Sequence, residues 1–197
     1  ISNTQDERIF PRLSAKYRVV PLYASNWVNP DLYEPVPKQQ KDIDIVMVAA
    51  FGIYKRHFAL FAALRELPRH LRVVLVGQAV GARSSAVLLA EAECYGVRDR
   101  IELRESISDQ AVVETLARGK ISLILSKQEG SCVAVVEAMF AGTPVGVLED
   151  AIVGSKAFIN RHTGRLLQDR GLASQLRDFI EHAGDYQPRQ WVLDQDI

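Results

Sequence analysis

Apolar residues recur along this chain in two registers. Short runs, Ile43 to Ala50, Leu71 to Val76, Ile101 to Leu103, Ile121 to Leu125 and Val145 to Leu148, are nearly continuous, the pattern of strands buried on both faces. Between them the apolar positions fall at helical spacing. Phe58, Phe61, Leu64 and Leu67 share one side of a segment from Lys55 to Leu67; Ser84 or Ser85 can cap a helix running to Gly96, and Ser108 another running to Gly119. Leu172, Leu176, Phe179 and Ile180 mark a last helix before Gly184. Strand and helix alternating at this length predict an α/β fold, a doubly wound, Rossmann-like parallel sheet with right-handed crossovers. Such sheets take their ligands at the carboxyl ends of the strands.

The pattern is weaker outside that core. Residues 1–22 hold a polar-to-helical stretch and the run Val19-Val20-Pro21-Leu22, too little to fold alone. Tyr23 to Lys41 carries Pro30, Pro35 and Pro37 without a sustained period, which marks a linker. The expected division is therefore the end of a preceding domain plus a linker over 1–40, the Rossmann-like domain over 41–184, and the start of a C-terminal extension over 185–197. Opening on Ile1 inside a helical pattern, the chain reads as a piece of a larger protein.

Ser126 to Val145 carries the densest chemistry. A helix from Cys132 to Ala141 is apolar on nearly every face and holds one charge, Glu137, before Gly142-Thr143-Pro144 stops it. A carboxylate buried there without a partner would cost several kcal/mol, so Glu137 is expected to meet a polar group. Glu129 stands in the turn ahead of the helix, and Gly130 and Ser131 at its start offer free backbone N–H groups, an anion site for phosphate or sugar oxygens. The plainer alternative is a buried strand-turn-helix unit in which Glu137 only pairs within the core. After the first strand, Gly52 lets the backbone come close to a ligand. Lys55 adds a mobile point charge suited to a diphosphate, although Lys55-Arg56-His57 also reads as a solvated first turn of a surface helix.

Composition narrows the classes. At 197 residues with 48% hydrophobic, the chain suits one domain with a real core. Basic and acidic residues balance at 24 each, so no basic field invites nucleic acid. The two cysteines, Cys94 and Cys132, lie too far apart for a redox or zinc motif, and their apolar helical surroundings predict buried free thiols in a reducing compartment. His57, His70, His162 and His182 show no ligand spacing, so no metal is expected. Gly77 to Gly81 lacks the G-x-G-x-x-G spacing and reads as a turn. No G-x-S-x-G elbow is present. No apolar run reaches the ~18 residues of a membrane span and no signal peptide opens the chain, which leaves membrane attachment to parts outside it.

The stretch E-G-S-x-x-x-x-x-E-A-M-x-A-G-T-P-V, from Glu129 to Val145, resembles the donor-binding motif of retaining glycosyltransferases of family four (group 1), which have the GT-B fold. Asn26-Trp27-Val28-Asn29-Pro30-Asp31-Leu32-Tyr33-Glu34-Pro35 resembles that family's hinge, N-G-V-D-x-x-x-F-x-P, with Trp27 in place of the glycine and Asn29 of the aspartate. Lys55 matches the lysine of the family's first loop, whereas the arginine that usually precedes it falls on Ala50. Asn160 to Leu167 is similar to the family's N-x-x-T-G-x-L-L tail.

The resemblance implies one half of a GT-B enzyme, the donor-binding domain of a retaining hexosyltransferase-type enzyme of polysaccharide biosynthesis, inactive as this fragment alone. Its donor would be a nucleoside-diphosphate sugar and its acceptor would be held by an N-terminal domain outside this chain. Glu137 would hydrogen-bond the ribose, Gly130 and Ser131 would hold the sugar by their backbone, and the amides of Cys132 and Val133 would face the diphosphate. Ile107, in the segment Arg104 to Ser108, would lie by the nucleobase. Lys55 would stabilise the departing diphosphate and Glu129 would orient the sugar hydroxyls. No cofactor and no metal are implied, because lysine and helix dipole supply the counter-charge. The implied setting is cytoplasmic, extending to the inner face of the membrane through other parts. Two alternatives are a non-catalytic nucleotide-sugar-binding domain, favoured by Ala50 and Trp27, and a GT-B sugar-nucleotide epimerase, disfavoured by the Glu129 and Glu137 pattern.

Overall fold

The computed structural model describes residues 24–194, with Ser14 and Lys16 ahead of them. The run Val19 to Leu22, most of the stretch before it and residues 195–197 lie outside the described residues. Six strands form one sheet: β1 (Ile43–Val48), β2 (Val73–Gly77), β3 (Ile101–Glu105), β4 (Gly119–Ile124), β5 (Val145–Leu148) and β6 (Gly164–Leu167). Their order is β3-β2-β1-β4-β5-β6 and every pairing is parallel, with Ile45 opposite Val73 on one side and Ile121 on the other. The central strands are mostly apolar because helices cover both faces, with Asp44 in β1 and Lys120 and Ser122 in β4 as polar exceptions. β6 is the edge, and its pattern thins accordingly: Gly164 and Leu167 are buried while Leu166 is exposed.

The helices are α1 (His57–Leu64), α2 (Ser85–Cys94), α3 (Asp109–Ala117), α4 (Val133–Phe140), α5 (Leu172–Glu181) and α6 (Pro188–Asp194). Ser84 caps α2 by accepting from the Val87 amide, and Ser108 caps α3 through the Ala111 amide. α1 starts later than its pattern predicts. Ile53–Lys55 forms a separate 3-10 turn, and Arg56 in the left-handed region (φ 60°) breaks it from the helix. His57 is buried rather than part of a solvated first turn. The cysteines are also placed differently: Cys94 is exposed, because α2 turns Leu88 and Ala92 to the core, and Cys132 is half-buried just ahead of α4. Both thiols are free.

The proline-rich segment is laid against the domain rather than strung away from it. Asn29 caps a short 3-10 turn, Pro30–Leu32, and the Tyr33 ring is buried against Phe140, centroids 6.1 Å apart. α6 packs on α4, with Val192 buried and Trp191 beside Phe158. At the other end of the sheet, the Lys41 ammonium donates to the carbonyls of Ala117 and Gly119 and to the Thr143 hydroxyl, at 2.8–3.0 Å. Burial brings its pKa down to about 8.

Candidate functional site

The strand order reverses between β1 and β4: the chain runs outward from β1 to β3, then returns to β4 on β1's other side. That reversal opens a crevice beyond the carboxyl ends of the two strands. The loop after β1 brings Lys55 to it and the loop after β4 brings Glu129, and the two side chains form an ion pair, only 18% and 14% exposed. The Lys55 ammonium also stands over the Tyr54 ring, 5.3 Å from its centroid.

The β4 loop is pinned through its carbonyls. Gly130 and Ser131 accept from the amides of Gly154 and Ser155 at 2.8 and 3.2 Å, and the Ser155 hydroxyl donates to the carbonyls of Ser131 and Cys132. No acceptor among the described residues takes the amides of Gly130, Ser131, Cys132 and Val133. They lead up to the first residue of α4, Val133, whose N-cap position, Cys132, is left-handed (φ 52°) and gives no side-chain cap. Among the described residues, the non-glycine positions with positive φ are Arg56, Ser106 and Cys132. They sit after β1, β3 and β4, so the uncommon backbone is gathered at the carboxyl edge.

Glu137 lies about one turn into α4, half-buried, and the Tyr33 hydroxyl donates to its Oε1 at 3.3 Å. Burial pushes its carboxyl up, the Tyr33 hydrogen bond works against that, and Asp109 adds to the rise. The Cys132 thiol is pushed up to about 12, first by burial and then by Glu129, so it stays protonated and is no nucleophile. Lys55 and Glu137 also act on it, which sets all three charges around the start of α4.

A cleft of about 350 Å³ opens beside Lys55, lined by Ala50, Tyr54, Ser106 and Ile107. Its floor is tight: a Cβ on Gly77 would meet the Ala49 carbonyl at 2.1 Å. Ile107 lines this space from the loop after β3. Gly52 is not used as the sequence suggested. It is buried, and the side its missing Cβ leaves open is filled by the Tyr54 ring, which a Cβ would meet at 2.4 Å. The glycine admits the tyrosine, not a ligand. Arg56 is likewise committed elsewhere, gripping Asp169 through both guanidinium nitrogens at 2.9 and 3.2 Å. Lys127 joins it there and also holds Asp150. This network ties the loops after β1, β4, β5 and β6 together, and no spacing in the sequence announced it.

A larger cavity, about 640 Å³, lies at the amino edge of the sheet. Two of the three ammonium groups that line it are already in use, Lys41 on the carbonyls above and Lys120 on Asp44. The chemistry is at the other edge. Among the described residues no three His, Cys, Asp or Glu side chains group as a metal site requires, and no helix is long and apolar enough to cross a membrane.

A doubly wound parallel sheet with a cation, a carboxylate and an uncapped helix start at its β1/β4 crevice is one half of a GT-B glycosyltransferase architecture. The chain belongs to the glycosyl transferases group 1 family, whose model matches residues 29–188. Sucrose-phosphate synthase from Thermosynechococcus elongatus superposes with a TM-score of 0.76 at 21% identity, over 96% of this chain and 50% of that one. Alr3699/HepE from Anabaena, in complex with UDP, gives 0.75 at 17% identity over 98% of this chain and 58% of that one. WaaG, a glycosyltransferase involved in lipopolysaccharide biosynthesis, gives 0.75 at 18% identity, covering 97% and 57%. The chain thus spans half to three-fifths of the length of these structures. Comparison with curated protein sequences gives no significant match.

Proposed function

We infer that this chain is the donor-binding half of a retaining glycosyltransferase that takes a sugar from a nucleoside diphosphate. The observation that carries this reading is the Lys55–Glu129 ion pair across the β1/β4 crevice, at the uncapped start of α4. Lys55 and the amides of Cys132 and Val133 face the diphosphate, and the lysine neutralises the charge that builds on it as the glycosidic bond breaks. Gly130 and Ser131 hold the sugar by their backbone and Glu129 orients its hydroxyls. Glu137 accepts from the ribose, and Ile107 lies along the base. The HepE structure holds UDP, which favours a uridine nucleotide here. The acceptor is bound by a half of the protein outside this chain, and the sugar leaves with its configuration retained. The counter-charge comes from lysine and helix dipole, so no metal takes part.

Thermal shifts with UDP, GDP, ADP and their glucose conjugates test this directly. A ligand at about 100 times its dissociation constant stabilises the fold by roughly 2.7 kcal/mol. One base is expected to shift the chain, EDTA to leave that shift intact, and Glu137→Ala to abolish it. Glu129→Ala is expected to bind the free nucleotide normally and to lose only the preference for the sugar conjugate. Equal losses in both variants would overturn the division of roles.

Ala50 favours a second reading. It lines the cleft where the resemblance expects an arginine, and Arg56 is held by Asp169. A domain with one cation would bind the donor without transferring it, and turnover by the intact protein separates the two.

A further inference from the structure

The hinge segment packs against α4, and Tyr33 is its buried aromatic contact there. The Tyr33 ring is 7% exposed and packed on Phe140, a contact for which the ring alone is sufficient. Its backbone carbonyl accepts from Arg189 Nη1 at 2.6 Å, and the same guanidinium donates to the carbonyls of Phe140 and Pro30. Arg189 belongs to α6, so the tyrosine is fixed between the hinge, α4 and α6. What remains is the hydroxyl, 3.3 Å from Glu137 Oε1 and separated from it by 104 positions in the chain.

We propose that Tyr33 is a positioning residue for donor binding: its phenol holds Oε1 of Glu137, fixing the carboxylate so that its remaining acceptor capacity meets the nucleoside's hydroxyls. This rests on the reading of Glu137 as the nucleoside contact. A carboxylate has about four acceptor positions, and the phenol uses one. A free glutamate side chain on a helix samples several rotamers, each binding event then ordering it anew; a hydrogen bond from a buried, clamped donor removes that cost beforehand. The neighbours of Glu137 make the phenol's contribution distinct. Asp109 from α3 and the Cys132 thiol at the start of α4 are the other titratable groups that act with it, and Asp109 together with burial disfavours the ionised carboxyl. Tyr33 is the group that favours it.

Tyr33→Phe keeps the ring and removes the hydroxyl. Calorimetric titration with UDP, GDP and ADP across pH, on wild type and variant, is expected to show affinity for the bound nucleotide falling about 3- to 10-fold. Its decline on the acid side should begin at higher pH in the variant, because Glu137 then takes a proton more readily. The same upward move should appear without ligand in the carboxyl carbon resonance of Glu137. A variant that loses thermal stability but keeps wild-type affinity, acid decline and Glu137 titration would overturn the proposal and leave Tyr33 as packing. Wild type binding none of the three nucleotides, with the Glu137 resonance still moving, would overturn the donor-binding reading while keeping the Tyr33–Glu137 coupling.

Discussion

Replacing Lys55 by methionine should lower turnover of the intact enzyme by about 10²- to 10³-fold, the range in which losing one preorganised charge-stabilising group falls. Methionine keeps the aliphatic stem against Tyr54 and removes only the cation that the proposed function sets against the leaving diphosphate. The substitution also leaves Glu129, 14% exposed, without its partner, so some loss of stability is expected alongside. The double variant Lys55→Met/Glu129→Gln separates the effects. With no orphaned charge it should regain most of the stability and none of the turnover. Urea midpoints and initial rates on the three proteins decide the matter. A Lys55→Met enzyme within a few-fold of wild type would show that the diphosphate draws its counter-charge from another group, and the cleft beside Ala50 would then be the place to look.

Much of the fold was legible because strands buried on both faces read as nearly continuous apolar runs, as β1, β2, β4 and β5 do despite Asp44 in β1 and Lys120 and Ser122 in β4. β6 was not, since an edge strand with Arg165 and Leu166 turned outward has little hydrophobic pattern, and it showed only through its Thr163-Gly164 turn. The late start of α1 was hidden as well. Arginine has no preference for the left-handed backbone that Arg56 adopts, so nothing in the residue type signals the break. In the candidate site, Lys55, Glu129 and Glu137 were visible because each stands in a local motif. Tyr54, Ser106, Tyr33 and Asp169 were not. Tyr33 and Asp169 act through partners brought close by the sheet, Glu137 and Arg56, and such pairs leave no fixed spacing along the chain, while Tyr54 and Ser106 show only as lining of the cleft. At Gly52 the side chain that fills the place of the missing Cβ is Tyr54, two residues on, a contact that residue type alone does not signal.

Acid should destabilise the wild-type domain above the range in which its carboxylates titrate, and His57→Leu should remove that step. His57 is 1% exposed, edge-on to Phe51, and neither ring nitrogen has a hydrogen-bond partner among the described residues. Burial, aided by the charges of Arg83 and Lys55, brings its pKa from 6.5 down to about 4. The sign follows from where each state takes its proton. The unfolded chain binds one below 6.5 while the folded protein resists until about 4, so the contribution is whole above 6.5 and disappears as pH falls through that window. Its size is on the order of 3 kcal/mol, a large share of the stability of a domain. Carboxyls held below their usual values by ion pairs, among them Asp42 and Asp169, lose their contributions lower on the scale and equally in both proteins. Leucine fills a similar volume and leaves no orphaned nitrogen. The stability gap between variant and wild type should therefore widen in the variant's favour from neutral pH towards about pH 4.5, read from urea midpoints. Parallel curves would show that His57 has a polar partner or a proton at neutral pH. Because His57 follows directly on Lys55 and Arg56, the first opening should be local. Protection of the amides over residues 52–57, taken relative to their intrinsic exchange rates, should fall in wild type near pH 5 and not in His57→Leu, which places a proton-sensitive joint under the loop that carries Lys55.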